Sequence, residues 1–456
     1  MSFIYSLLGF IVAIAVLVAV HEFGHFWVAR KLGVKVLRFS VGFGKPLWRK
    51  VAGEDQIEYV IGAIPLGGYV KMLGEGDGTP IAPSEAHRAI DRQPIWKRSL
   101  IVVAGPAINF LFAIILFMLL GLGTEKHVVP IFGDFSDTSL VAQAGIVPGD
   151  KLLEIDGREV KHFLERDLYV LNQVLKKQPI SIKVDGQDGI RSMALETKQI
   201  PIYNIDPAVV MKKLGFIHVA PPPNTTIRVV EEGSPADLAG LQEGDRFLKI
   251  DNKTISRWRD LVEIVQPSPD KSLPITVERD GTQIDLFVTP KAKTVGDKTI
   301  GLLGVGGQRS PYPEDQLITF SRSPLQSLVY GIERTWVMSS LTVRVLWNMV
   351  TLKASPKNIS GPITIADVTG QAVQISWQSY VFVLAAISIS LGVMNLLPIP
   401  MLDGGHLLTY AVEIVAGRSF SEKFFAIGQK VGIFLLLSLM SLASVSYTHL
   451  TLPTKA

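Results

Sequence analysis

The chain has 456 residues, 48% hydrophobic and 19% charged, and its mean hydropathy of +0.32 is high for a wholly soluble protein. It has no cysteine, which excludes disulfides and thiolate metal sites. The net charge of +4 is mildly basic, but the basic residues flank apolar runs without interleaved aromatics, a pattern of membrane topology and not of nucleic-acid binding.

Four runs approach the roughly twenty apolar residues that a bilayer crossing needs. The first, Phe3–Val20, runs on into "VAVHEFGHFW" and predicts a transmembrane helix over 1–30. It has no basic leader and no small-residue cleavage site, which argues against a signal peptide. Arg30 and Lys31 follow it, and Lys97 and Arg98 precede the second run, Leu100–Gly123, a predicted helix over 98–123. By the positive-inside rule the loop between them is cytoplasmic and both termini face outward. Within that loop (31–97), "VKVLRFSVGFGKPLWRK" and "QIEYVIGAIPLGGYVKML" alternate apolar and polar residues and read as β-strands with glycine-rich turns. "AIPLGG" is too apolar for a water-facing turn, so this sheet is expected to dip toward the membrane.

The long segment 124–379 then lies outside and contains a repeat. "AGIVPGDKLLEIDGREV" starts at Ala144 and "AGLQEGDRFLKIDNKTI" at Ala239, 95 residues apart. In each, Gly-Asp makes a tight turn and the following apolar run enters a core as a strand. Both resemble the carboxylate-loop region of PDZ domains, which predicts two extracytoplasmic α+β domains over 127–220 and 222–310. Residues 324–375 follow. Their first helical stretch is amphipathic, with Glu333, Arg334 and Arg344 opposing a crossing, and predicts interfacial helices. The third span (376–405) ends "NLLPIPMLDGG" and runs parallel to the first. The fourth, 424–445, is interrupted at its start by Gln429 and Lys430, and the polar 446–456 reads as an assembly scar.

"HEFGH" is the H-E-x-x-H pattern. His21 and His25 lie one turn apart and can share one Zn²⁺, with Glu22 as general base toward a water. A charged residue within a spanning helix is costly, so its presence calls for a function. A carboxylate from the same leaflet, Asp403, would complete a two-His, one-carboxylate set that leaves a position for water. His406 is the alternative third ligand. Pro398 and Pro400 break the helix and free backbone groups that lipid does not tolerate unpaired, so they are expected to line a cavity. Asn395, on the last helical turn, either bonds an extended peptide or ties helices together. Asn109 in "GPAINF" is expected to bond between helices and not to bind metal.

In order along the chain, "HEFGH", "PLGGYVKM", "GPAINF", the two PDZ-like repeats, "NISGPITIA" and "NLLPIPMLDGG" resemble the bacterial site-2 protease family over about residues 1–445. The resemblance implies a polytopic α-helical membrane protein with four transmembrane helices, a membrane-associated β-sheet and two PDZ domains. It also implies an intramembrane zinc metalloprotease of the bacterial inner membrane, with its active site near the cytoplasmic side and one zinc per chain. His21, His25 and Asp403 would be the ligands and Glu22 the base. An edge strand at Leu66, Gly67, Gly68 and Tyr69, together with Asn395, would hold unwound substrate. Family substrates are single-pass membrane proteins already trimmed outside, among them an anti-sigma factor, and remnant signal peptides. The PDZ domains would contact the trimmed ends. The family continues its fourth span with apolar residues, whereas "SYTHLTLPTKA" follows Val445 here.

Overall fold

The computed structural model describes residues 2–75, 81–162, 167–201, 207–217, 223–295, 298–353 and 362–417. The predicted fourth span, the tail 446–456 and residues 358–361 of "NISGPITIA" lie outside them.

Helix α1 (Ser2–Lys31) is apolar through most of its length and ends on Arg30 and Lys31, which suit the negative end of the helix dipole. Two long strands follow, β1 (Val36–Ala52) and β2 (Ile57–Met72). Both are bent, and their register shows how. Residues 38–41 pair with 68–71 on one side and with 58–61 on the other, while 46–52 pair with 57–62. Two strands thus make a sheet of four segments, ordered 46–52, 57–62, 38–41 and 68–72. The last segment is an edge. The bends fall at Gly42 (φ 90°) and Gly67 (φ 115°), conformations that side chains disfavour.

Helix α2 (Ile95–Gly121) is the hub of the apolar bundle. A two-stranded ribbon leaves and re-enters that bundle: β3 (Gly123–Val128) pairs with a strand at Leu317–Arg322. Everything between is an insertion of two α+β units. The first contains helix α3 (Leu140–Gln143), strands β4 (Lys151–Ile155) and β5 (Arg158–Glu159), α4 (Asp167–Lys176), β6 (Ile180–Gly186), β7 (Gly189–Leu195) and α5 (Pro207–Leu214). Its sheet order is β5-β4-β6-β7. The second contains β8 (Pro223–Val230), α6 (Pro235–Leu238), β9 (Arg246–Ile250), β10 (Lys253–Thr254), α7 (Trp258–Val265), β11 (Leu273–Arg279), β12 (Thr282–Val288), the hairpin β13 (Lys291–Val295) and β14 (Lys298–Leu302), and β15 (Val305–Arg309). Its sheet order is β12-β11-β9-β8-β15. Each has its own apolar core, and the turn of each repeat is the same: Ser139 and Ser234 cap the short helices, and Asp156 and Asp251 both sit at φ 48°. The ribbon's second strand, β16 (Leu317–Arg322), leads to α8 (Pro324–Val350), opened by a Ser323/Gln326 capping box. Asn172 of the first unit bonds Ser340 and accepts from Arg344, which docks α4 on α8.

Helices α9 (Pro362–Ile375), α10 (Trp377–Asn395) and α11 (Asp403–Ala416) complete the described chain. Among the described residues three helical stretches, Leu7–Lys31, Ile95–Gly121 and Trp377–Asn395, are long and apolar enough to cross a membrane. Their shared core includes Leu17, Phe117, Ala385 and Ile389, while Leu8, Val12, Leu111 and Leu119 face outward. A separate helix at Asp403 is a correction. The sequence reading ran the third span through 405, past Gly404 and Gly405. They form instead the first turn of α11. A Cβ on Gly404 would lie 2.2 Å from the Leu397 carbonyl oxygen, and one on Gly405 2.4 Å from that of Ile399. The glycines let α11 start directly against the broken end of α10.

Candidate metal centre

The 3.6-residue period of α1 puts His21 and His25 on one face, with Glu22 beside them. The two rings meet edge to face at 85°, with Nε2 atoms 3.3 Å apart. Helix α2 crosses closely at this point. A Cβ on Gly105 would lie 2.2 Å from His25 Nε2, so only glycine leaves space for both rings. The Ile101 carbonyl accepts a hydrogen bond from His25 Nδ1 at 2.8 Å, which turns Nε2 toward His21. Asn109, fully buried, places its amide 3.0 Å from His21 Nδ1.

Asp403 arrives from the opposite side. Met401 just before it holds φ at 86°, a conformation that a non-glycine residue keeps only when its surroundings impose it. The Asp403 Oδ2 atom lies 3.3 Å from His21 Nε2 and 3.5 Å from His25 Nε2. It is buried there without a hydrogen bond of acceptable geometry. These three atoms form the only such His, Asp or Glu cluster among the described residues. A tetrahedral zinc with bonds of about 2.0–2.1 Å separates its ligand atoms by about 3.3–3.4 Å. The separations match, and the carboxylate oxygen without a hydrogen bond is what a metal ligand requires. The donor set therefore fits zinc.

The cluster opens into a cavity of about 640 Å³. Glu22 lines it, packed against Gly68, where a Cβ would come within 3.0 Å of Glu22 Cγ. Gly67, Gly68 and Tyr69 line it too, so the free edge of the sheet is a wall of the site. Tyr69 is held by Arg38, which donates to its hydroxyl at 2.9 Å, and Phe43 stacks on its ring. Leu66 lies on the same strand, but its side chain is outside the described ones. Asn395, the last residue of α10, lines the cavity with its amide nitrogen 3.5 Å from His21 Nε2. His406 also lines it, one turn past Asp403, but is not in the three-atom cluster. Pro398 and Pro400 occupy the break between α10 and α11, and the cavity wall there is Met401 and Leu402 instead. Sequence reasoning missed Ile101 and Gly105. The fourfold spacing of Gly105 and Asn109 within a span was the available signal.

The model of peptidase family M50 matches residues 9–439. The chain belongs to peptidase family M50. As an M50 protein it is a membrane-associated protease with curated relatives along nearly its whole length. It is 37% identical over 446 residues, 97% of this chain and 98% of the other, to the regulator of sigma-E protease RseP of Escherichia coli (strain K12). It is 39% identical over 454 residues, 96% and 97% of the two chains, to the putative zinc metalloprotease RSc1411 of Ralstonia nicotianae. A putative zinc metalloprotease of Vibrio cholerae is 35% identical over 443 residues, 96% and 97% of the two chains.

Proposed function

We propose that this M50 protease is a site-2 zinc endopeptidase that cuts transmembrane segments of single-pass proteins. The observation that carries the reading is the convergence of His21, His25 and Asp403 on one point beside Glu22, in a cavity walled by a free sheet edge. His21 and His25 through Nε2, and Asp403 through Oδ2, hold one zinc per chain. When bound, zinc acidifies a water to a pKa of about 7 and polarises the scissile carbonyl.

The chain's own residues do the rest. Glu22 takes a proton from the attacking water and passes it to the leaving amide nitrogen, so hydrolysis ends with a carboxyl and an amine. A substrate helix hides its carbonyls in i→i−4 bonds and must unwind first. In lipid the freed groups need new partners. The edge at Gly67–Met72 supplies them by strand addition, and the Asn395 amide adds another bond. Cleavage should therefore favour substrate helices containing Gly, Pro, Ser or Asn near the site.

The three apolar helices cross the inner membrane of a bacterium. The metal centre lies toward the cytoplasm and the two inserted units outside. Those units are PDZ domains that contact the trimmed ends of substrates. The relatives named as regulator of sigma-E protease favour sigma-E stress signalling, and the anti-sigma factor and remnant signal peptides implied by the family resemblance share single-span chemistry.

The test is metal analysis of the purified protein together with cleavage of a model transmembrane peptide carrying a central Gly or Pro. Zinc near one per chain and cleavage lost on chelation are expected. Absence of both would make the chain a PDZ-bearing membrane adaptor instead.

A further inference from the structure

Helix α2 meets the two histidines at three positions one turn apart. Ile101 offers its carbonyl to His25 Nδ1, Gly105 makes room for both rings, and Asn109 faces His21 Nδ1. The first contact has a clear polarity: a carbonyl oxygen only accepts, so His25 carries its hydrogen on Nδ1 and leaves Nε2 with a free lone pair. The Asn109 contact has no such fixed polarity, because an amide can present either its oxygen or its nitrogen.

We propose that Asn109 is a positioning residue for His21, presenting Oδ1 and not its nitrogen to the His21 Nδ1–H. The inference rests on the zinc reading above and names a role for a residue outside the ligand set. A neutral imidazole that gives Nε2 to a metal holds its one hydrogen on Nδ1 and needs an acceptor there. Asn109 is the group at that place. His21 is the amide's one partner among the described residues and the other amide position is buried without one, so the amide's own bonds do not choose its orientation and the His21 Nδ1–H does. Nothing else in the surroundings holds the nitrogen toward the ring. The backbone is fixed independently, since Ser388 on α10 donates to the Asn109 carbonyl at 2.8 Å. Asn109 therefore delivers an acceptor from a rigid point where α2, α1 and α10 meet. The two histidines then share one arrangement: Nδ1–H bonded to α2, Nε2 turned to the centre.

Two measurements test this on the full chain in detergent. The first is ¹⁵N NMR of zinc-free protein labelled only at histidine, with the His21 signal assigned by its loss in His21→Gln. The expected species is the Nδ1–H tautomer, and an Nε2–H tautomer overturns the proposal. The second is zinc affinity by competition with a chromophoric chelator. Asn109→Leu keeps the bulk and removes the acceptor, and should weaken zinc by about 10–100-fold. Asn109→Asp keeps an acceptor and should stay within about threefold of the unaltered protein. A folded Leu variant that binds zinc as tightly as the unaltered protein, or Asp and Leu variants that fall equally, overturns the role. If the Leu variant does not fold, the tautomer of the unaltered protein and the Asp variant still decide. A chain that takes up no zinc would sink the protease reading, while the tautomer reports on Asn109 separately.

Discussion

The protein buries aspartates in two very different ways. Asp245, in the second inserted unit, is fully buried and saturated. Arg279 grips it with two bonds of 2.7 and 2.8 Å, and the Gln242 N–H adds a third at 2.8 Å. Asp403 is partly buried between two imidazoles, and its inner oxygen has no hydrogen bond. Burial without satisfaction costs free energy, so a fold keeps it only where something else is gained. The saturated carboxylate closes a turn and holds a domain together. The other is the one we propose to hold a cation. Satisfaction, more than burial, separates a structural aspartate from a functional one.

The sharpest break in this comparison uses Glu22, which shares the cavity with Asp403 but lies outside the three-atom cluster. Glu22→Gln should lower peptide cleavage by about 10²–10⁴-fold, the usual contribution of a general base. Zinc content should be unchanged. Substantial turnover would remove the base assignment, and lost zinc would make Glu22 a ligand. Next in size is Asp403→Asn, which should lose zinc and cleavage together. The zinc-free protein should be no less heat-stable for the change, because the carboxylate oxygen made no hydrogen bond to lose. Zinc and activity that both survive would hand the third position to His406.

Asp245→Asn should show the opposite phenotype. Zinc and cleavage of a short peptide should stay, while the second unit loses about 1–3 kcal/mol, the cost of leaving a charged partner under-bonded. Faster amide exchange in β9 and β11 of the full chain reports that loss. Asp150 holds the same place in the first unit, 95 residues earlier, but receives one bond of 2.8 Å from Arg191 and a long one of 3.2 Å from the Val147 N–H. Asp150→Asn should therefore cost less, about 1 kcal/mol. Equal losses in the two units would mean that the number of bonds to the carboxylate does not set its value.

These contrasts also mark what the chain showed before its structure. His21, Glu22 and His25 were legible because helical spacing alone brings them together. Asp403 was legible because the topology expected from the sequence runs the first and third spans parallel and ends them on the same side. The repeats were legible because Gly-Asp turns are local. Arg191 and Arg279 were not: they come 41 and 34 residues after their aspartates, on strands whose pairing only the folded sheet defines. The four-segment sheet was hidden for the same reason, since each of its strands bends and pairs on two sides. Asn109 was read as a bond between helices, and it is one; its partner is the His21 side chain.

The smallest effect concerns acid. Burial alone would raise the Asp245 carboxyl, but Arg279 and the Gln242 N–H outweigh it and hold it below the ordinary carboxylate value of 3.8. In the unfolded chain the group titrates near that ordinary value. Its contribution to stability is thus complete above pH 3.8 and is lost as pH falls through the lower folded value. Exchange protection of β9 and β11 in the unaltered protein should accordingly fall faster below about pH 4 than in Asp245→Asn, which has no carboxyl to protonate at that position. The difference between the two proteins should shrink as the carboxylate takes up its proton. Parallel acid profiles would show that Asp245 is not held as a charged group, and the distinction between the saturated and the unsatisfied carboxylate would lose its electrostatic basis.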